Sequence, residues 1–255
     1  MKFGWKKDPY NNKDFKFSQL KPRLASLSNS TEYIIPETTP VYDQLSLQSC
    51  VANATANALE ILINLKDKKI ISLSRLFVYW NARVYTKETD KDEGTYIRNA
   101  FDSLRKLGVC LESVCNYDSN RVFAQPTLDA YRQGDDNTLT SFYRINSSDK
   151  QRIEDIETAI RANHPVVFGT AVSKEFQNYN GNTKVWGQPD SYIGYHAMLV
   201  VGVRTSNNGR KEFLIKNSWG KYWGDNGKTW FDESYLSWGE TDDLWVPTMM
   251  PNLTI

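Results

Sequence analysis

Cys50 stands where a polar stretch gives way to apolar residues at spacings of three and four: Val51, Ala54, Ala58, Leu59, Leu62 and Leu65. That spacing predicts a helix beginning at the cysteine, with Ser46 or Ser49 as its cap. A thiol at a helix start meets unpaired N–H groups and the positive end of the dipole, which favour the thiolate. A small buried residue packing under a helix would occupy the same place, so position alone does not make a nucleophile. A thiolate also needs an imidazole, to hold the ion pair and to protonate a leaving amine. The chain offers two, His164 and His196. His164, in ANHPVVF, precedes Pro165 at a helix-to-strand junction and is read as structural, whereas His196, in GYHAMLVVGV, opens an apolar strand. The third group is Asn217 in EFLIKNSWGKYWGDNG. Its amide oxygen can accept from an imidazole and fix the tautomer without adding charge. Trp219, Gly220, Trp223 and Gly224 crowd the same turn, which suits a tight, aromatic-walled structure better than a plain surface turn.

IKNSWGKYWGDNG closely resembles the Asn-Ser-Trp-Gly…Trp-Gly…Asn-Gly motif of papain-like cysteine peptidases. GYHAMLVVGV is similar to that family's histidine strand, and QLSLQSCVANA places Gln44 six residues before Cys50, where the family has its glutamine. His196 lies within the span of about 130–150 residues beyond the cysteine that the family shows. The likeness covers roughly residues 40–245, and LSRLFVYWNAR and EGTYIRNAFDSLRKLGV resemble the branch found in bacteria and large viruses.

The resemblance implies a cysteine-type endopeptidase acting on polypeptides through an acyl-enzyme, with no metal or organic cofactor. Residue by residue, it makes Cys50 the nucleophile, His196 the base and Asn217 its orienting partner, with Trp219 shielding their hydrogen bond. Gln44 and the Cys50 N–H would form the oxyanion hole. Gly94 would pair with substrate backbone, and Trp223 would wall the primed side of the cleft. Leu47, Gln48 and Val51 depart from the family pattern around the nucleophile, so the usual disulfide there cannot form, and inherited substrate preference is not carried over. Two other readings stand beside this one: an inactive papain-like module, against which the intact triad and Gln44 argue, and an exopeptidase or transamidase on the same fold.

The elements that must position these residues are helices first and strands later. SRLFVYWNARV behind Ser74, TYIRNAFDSLRKL ending at Gly108, and IEDIETAIRAN read as helices; VVFGTAV, AMLVVGV, EFLIKN and GKTWF read as strands. This order predicts an α+β chain, and with the resemblance a papain-like two-lobed fold. A helical lobe over roughly 40–135 would face an antiparallel β-barrel-like lobe over 136–255 across an active-site cleft. Residues 1–39, polar and weakly periodic, read as an extension on the surface or partly mobile. It would serve as a strap against the back of a lobe or as a short pro-segment (a zymogen device) running along or into the cleft. Thirty-one Lys and Arg balance 30 Asp and Glu, so charge gives no argument for nucleic acid or an anionic membrane. Cys110 and Cys115 are read as free thiols, though five residues' spacing would let them pair across a turn. No signal peptide or membrane span is read, so a monomer that is intracellular or virion-associated rather than secreted is expected.

Overall fold

The computed structural model describes residues 2–181 and 183–248; residues 1 and 249–255, which the expected boundaries include, lie outside the described residues. Among the described residues the α-helices are α1 (Phe17–Leu20), α2 (Cys50–Asp67), α3 (Arg75–Val84), α4 (Ile97–Leu107), α5 (Leu128–Asp135), α6 (Asp149–Arg161), α7 (Lys174–Gln177) and α8 (Glu233–Leu236). The predicted start at Cys50 holds. Ser49 occupies the cap position, but its hydroxyl makes no cap hydrogen bond; it pairs instead with the Tyr117 hydroxyl and accepts from Asn53. Ser74 does cap α3, accepting from the Phe77 N–H at 3.1 Å, and Gly108 closes α4 at φ +63°.

Helix α2 is buried on every side from Cys50 to Asn64, the mark of a helix in a core rather than on a surface. Its polar side chains are therefore satisfied locally: Thr55 bonds the Val51 carbonyl, and Asn57 donates to Glu60. Glu60 also takes the Leu73 N–H and the Tyr42 hydroxyl.

The strands are β1 (Trp5–Lys6), β2 (Glu32–Ile34), β3 (Thr95–Tyr96), β4 (Phe142–Ile145), β5 (Val166–Val172), β6 (Val185–Trp186), β7 (Gly194–Thr205), β8 (Lys211–Lys216), β9 (Lys228–Asp232) and β10 (Thr241–Pro247). One sheet orders them β4-β10-β5-β7-β8-β9-β6, antiparallel except at β6–β9, with β2 joining β7 beyond the end of β5. Strands β5 and β7 are apolar on both faces because helices cover them, and α2 packs against β7. Helices over 50–135 thus face a sheet lobe, and the fold is the expected papain-like α+β arrangement.

Two strands escape a pattern reading. In β10 the pair Asp242–Asp243 breaks the alternation, and the register slips between Asp242 and Trp245. Asp243 adopts φ +52°, so the bulge turns its carboxylate into the protein interior. The other is β1, part of an N-terminal extension that is neither loose nor purely superficial. Phe17, Leu20 and Ile35 are buried along it, and Trp5 and Lys6 pair in parallel with Thr95 and Tyr96 of the helical lobe.

Candidate active site

Three elements converge on the site. The head of α2 carries Cys50, β7 carries His196, and the turn after β8 carries Asn217. Pairing of β7 with β8 brings the last two together. His196 Nε2–H donates to Asn217 Oδ1 at 2.7 Å, and the Ser218 N–H also donates to that oxygen at 2.8 Å. The second bond fixes which end of the amide is oxygen, and so which imidazole nitrogen bears the proton. Nδ1 is left as the basic nitrogen and has no hydrogen-bond partner among the described residues.

Trp219 stacks on the imidazole, ring centroids 4.4 Å apart and 22° from parallel. Trp223 stands behind it, 5.4 Å away and edge-on, and spends its indole N–H on the Phe176 carbonyl. Lys216, next to Asn217, is buried; its ammonium reaches both Glu37 oxygens at 3.1 Å and the Thr39 carbonyl at 2.9 Å. This anchor ties the start of the turn that carries Asn217 to the chain entering the helical lobe. Nothing in the sequence pattern singled out Glu37 for it. His164 stands apart, its Nδ1 bonded to the Pro247 carbonyl at 3.1 Å.

Gln44 is buried and held from behind, its Oε1 accepting from the Ser218 hydroxyl at 2.8 Å and its backbone N–H donating to the Ser218 carbonyl at 2.8 Å. Its Nε2 donates forward to the Lys2 carbonyl at 3.1 Å, as well as to Leu47 O at 2.8 Å. A peptide carbonyl of the N-terminal extension therefore sits on the side-chain amide expected to bind an oxyanion.

Residues 2–7, with β1 at their centre, continue along the cleft as a segment whose side chains alternate between its walls. Even positions face the helical lobe. Lys2 pairs with Asp92 at 3.3 Å, Gly4 lies against the Gln48 carbonyl, and Lys6 pairs with Glu88 at 2.9 Å. Odd positions face the sheet. Phe3 meets His196 and Trp219 edge-on at 6.5 and 6.3 Å, and Trp5 packs on Gly169 and Tyr195. Gly94, at φ +80°, meets this strand: a Cβ there would collide with the Gly4 carbonyl, which accepts the Thr95 N–H at 2.9 Å. A Cβ on Gly4 would in turn strike Gln48.

Under this cover Cys50 and His196 have no exposed surface. Burial pushes the Cys50 thiol up to about 11, against backbone hydrogen bonds from Ala197 and Gly4 that favour the thiolate. Burial also pushes the His196 imidazole down to about 4, against the Asn217 hydrogen bond. In each group burial favours the uncharged form. Cys110 and Cys115 lie apart from the site, buried and unbridged.

The family model described as "Papain family cysteine protease" matches residues 30–236. A peptidase C1-like protein of Acanthamoeba polyphaga mimivirus is 32% identical over 249 residues, covering 92% of this chain and 78% of that protein. Falcipain-3 of Plasmodium falciparum is 29% identical over 202 residues, covering 74% of this chain but 37% of its own length. Among solved structures, xylellain, a cysteine protease from Xylella fastidiosa, superposes with a TM-score of 0.82 at 26% identity, over 97% of this chain and 96% of that one.

Proposed function

The chain belongs to the papain family of cysteine proteases, and we propose that it is an endopeptidase in which Cys50, His196 and Asn217 form the catalytic triad, held latent by its own first residues. The observation that supports this most is the occupant of the cleft: polypeptide backbone lies along Gly94 and Thr95 with a carbonyl on Gln44 Nε2, beside the thiol. When that segment leaves, water reaches the pair, the penalty of burial falls, and the Cys50 proton passes to His196 Nδ1. The thiolate adds to a substrate carbonyl carbon, and the carbonyl oxygen takes the charge, facing Gln44 Nε2 and the Cys50 N–H. His196 then gives the proton to the leaving amine as the C–N bond breaks. A water molecule, deprotonated by His196, hydrolyses the thioester and restores the thiol. Asn217 keeps the imidazole in the tautomer this cycle needs, Trp219 screens that bond, and Trp223 backs Trp219.

In this reading residues 1–39 are a short pro-segment and residues 40–255 the peptidase domain, with lobes of roughly 40–135 and 136–255. The likeness to a mimivirus protein supports an intracellular or virion-associated setting. No helix among the described residues is long and apolar enough to cross a membrane.

The deciding experiment treats the full chain with a peptidyl epoxide and maps the adduct by mass spectrometry. A single, slow adduct on Cys50 is expected, absent in Cys50→Ala and strongly reduced in His196→Ala. A folded Trp5→Ala chain that still gave no Cys50 adduct would sink the reading. For the oxyanion role, Gln44→Ala in the Trp5→Ala background should lower kcat for a peptide amide by about 10²-fold with a smaller change in KM. An equal effect on alkylation by iodoacetamide, which forms no oxyanion, would instead make Gln44 a packing residue.

A further inference from the structure

Gln44 and Cys50 stand at the two ends of a short loop, and in the proposed chemistry each end supplies one donor to the oxyanion: Gln44 Nε2 and the Cys50 N–H. The residues between them form neither helix nor strand. Leu45 adopts φ +54° and is exposed, and the Leu47 N–H turns back onto the Gln44 carbonyl at 3.2 Å. Such a loop has no ladder of its own to fix the distance between its ends.

One side chain meets both ends. The Tyr117 hydroxyl donates to the Gln44 carbonyl at 2.9 Å and pairs with the hydroxyl of Ser49, the residue before the nucleophile. A phenol has one proton and a carbonyl can only accept, so that proton goes to Gln44 and Ser49 donates to Tyr117. Ser49 Oγ in turn accepts from Asn53 Nδ2 at 3.1 Å, and the same amide reaches the Ser49 carbonyl at 3.0 Å. The phenol ring is itself braced. The Arg75 guanidinium lies 4.0 Å from its centroid and 4.1 Å from that of Tyr42, two residues ahead of Gln44. Arg75 Nη2 and the Tyr117 N–H share Glu112 Oε1, at 2.9 and 2.7 Å, and Arg75 Nη1 reaches Asn53 Oδ1 at 3.2 Å. Tyr117 is thus held through Asn53 of α2, Arg75 of α3 and Glu112, none of which belongs to the loop it grips.

Resting on the peptidase reading, we propose that Tyr117 is a positioning residue whose hydroxyl staples Gln44 to Ser49 and so sets the separation of the two oxyanion donors. It acts through Gln44 and the head of α2 rather than on substrate. An oxyanion is stabilised most by donors already in place, because nothing then has to reorganise as the charge forms. Phenylalanine at this position keeps the ring under Arg75 and loses both hydrogen bonds, which leaves the Gln44 carbonyl with the Leu47 N–H and frees the two ends to drift apart.

The test compares Tyr117→Phe with its parent in the full-length Trp5→Ala chain, using a peptidyl coumarin amide selected from a mixed-sequence pool and, separately, iodoacetamide. Iodoacetamide alkylates the thiol without forming an oxyanion, so it reports thiol reactivity and the open fraction alone. Tyr117→Phe is expected to lower kcat for the amide about tenfold, with KM and the iodoacetamide rate each changed by less than about twofold. The loss should depend on Gln44. In a Gln44→Ala background the same substitution should lower kcat by less than about threefold, because one of the two donors it positions is already gone. A tenfold loss that persisted in that background, or an equal loss toward iodoacetamide, would make Tyr117 a packing residue and overturn the proposal while leaving the peptidase reading standing. An unchanged kcat would overturn it as well. An open chain that iodoacetamide labels on Cys50 but that cleaves no amide in the pool would overturn both.

Discussion

Replacing Trp5 with alanine should speed the alkylation of Cys50 by iodoacetamide about 10²–10³-fold at pH 7. Cys50 and His196 are wholly covered, so a reagent reaches the thiol only while residues 2–8 are undocked. The labelling rate is then the fraction open multiplied by the rate of the open form. Truncating a buried Trp costs about 3–5 kcal/mol in a core. The lower end of that range applies here, because a strand near a terminus relaxes more easily than a core; about 3–4 kcal/mol is a factor of 10²–10³ in the opening equilibrium. Trp5 also gives up its hydrogen bond to Asp243. Gly4→Ala should act in the same direction through a different contact, since the added methyl meets the backbone of Gln48 rather than a side chain that can move aside. An unchanged labelling rate in both variants, with the far-ultraviolet spectrum intact, would show that this segment does not control access to the thiol.

The residues proposed as the triad could be singled out because each sits in a local pattern with a mechanical reason. A helix begins at Cys50, a buried strand begins next to His196, and Asn217 ends a strand in a turn crowded with tryptophan and glycine. The structure adds what no pattern could supply, namely who holds these groups. Ser218 does two tasks from one position: its N–H fixes the Asn217 amide, and its hydroxyl and carbonyl hold Gln44. The Gln44–Ser218 relation spans 174 residues, so spacing in the sequence carries no trace of it. The same applies to Glu37 and Lys216, which meet across 179 residues, from the extension to the end of β8.

The N-terminal segment was legible only in part. The alternation Lys2, Phe3, Gly4, Trp5, Lys6 is a period of two over a stretch too short and too polar to read as a strand. Its partner β3 is only two residues long. Strand pairing of that length is set by the groove that receives it, not by propensity, and the groove is a tertiary object. Asp243 was hidden for a related reason. Two adjacent acids near the end of a chain suggest a solvated turn, and only the bulge at φ +52° turns one of them inward beneath Trp5.

That inward carboxylate gives the second large effect: the docked segment should loosen as pH rises from about 5 to 8, by about 10² in its opening equilibrium. Asp8 is raised to about 7 by burial and by the nearby Asp243 carboxylate, against Arg98 and the Trp245 indole, which favour its charge. Asp243 is raised to about 6 by burial, against the Asp8 N–H and Arg144, with Asp242 adding to the rise. Asp8, which leaves with the segment, therefore holds a proton in the docked state that it would give up in the free state above an ordinary carboxylate value of 3.8, and the raised Asp243 beside it keeps its charge unfavourable there. Docking is not penalised below that value. The cost grows as pH passes from about 4 through 6 and 7, then levels off once both groups ionise in either state. The surrounding cations temper the effect without reversing it: Arg98 is engaged by Asp14 at 2.6 Å, and Arg144 is shared between Asp242 and Asp243. Alkylation of Cys50 is a poor readout here because the thiol itself titrates. Hydrogen exchange at the Thr95 amide, which donates to the Gly4 carbonyl, reports docking directly once corrected for intrinsic exchange. Its protection should fall with pH, and Asp8→Asn, which removes the proton that distinguishes the two states, should flatten the profile. Protection that rose with pH would mean the pair is held ionised by Arg98 and Arg144, and that acid rather than neutral conditions open the cleft.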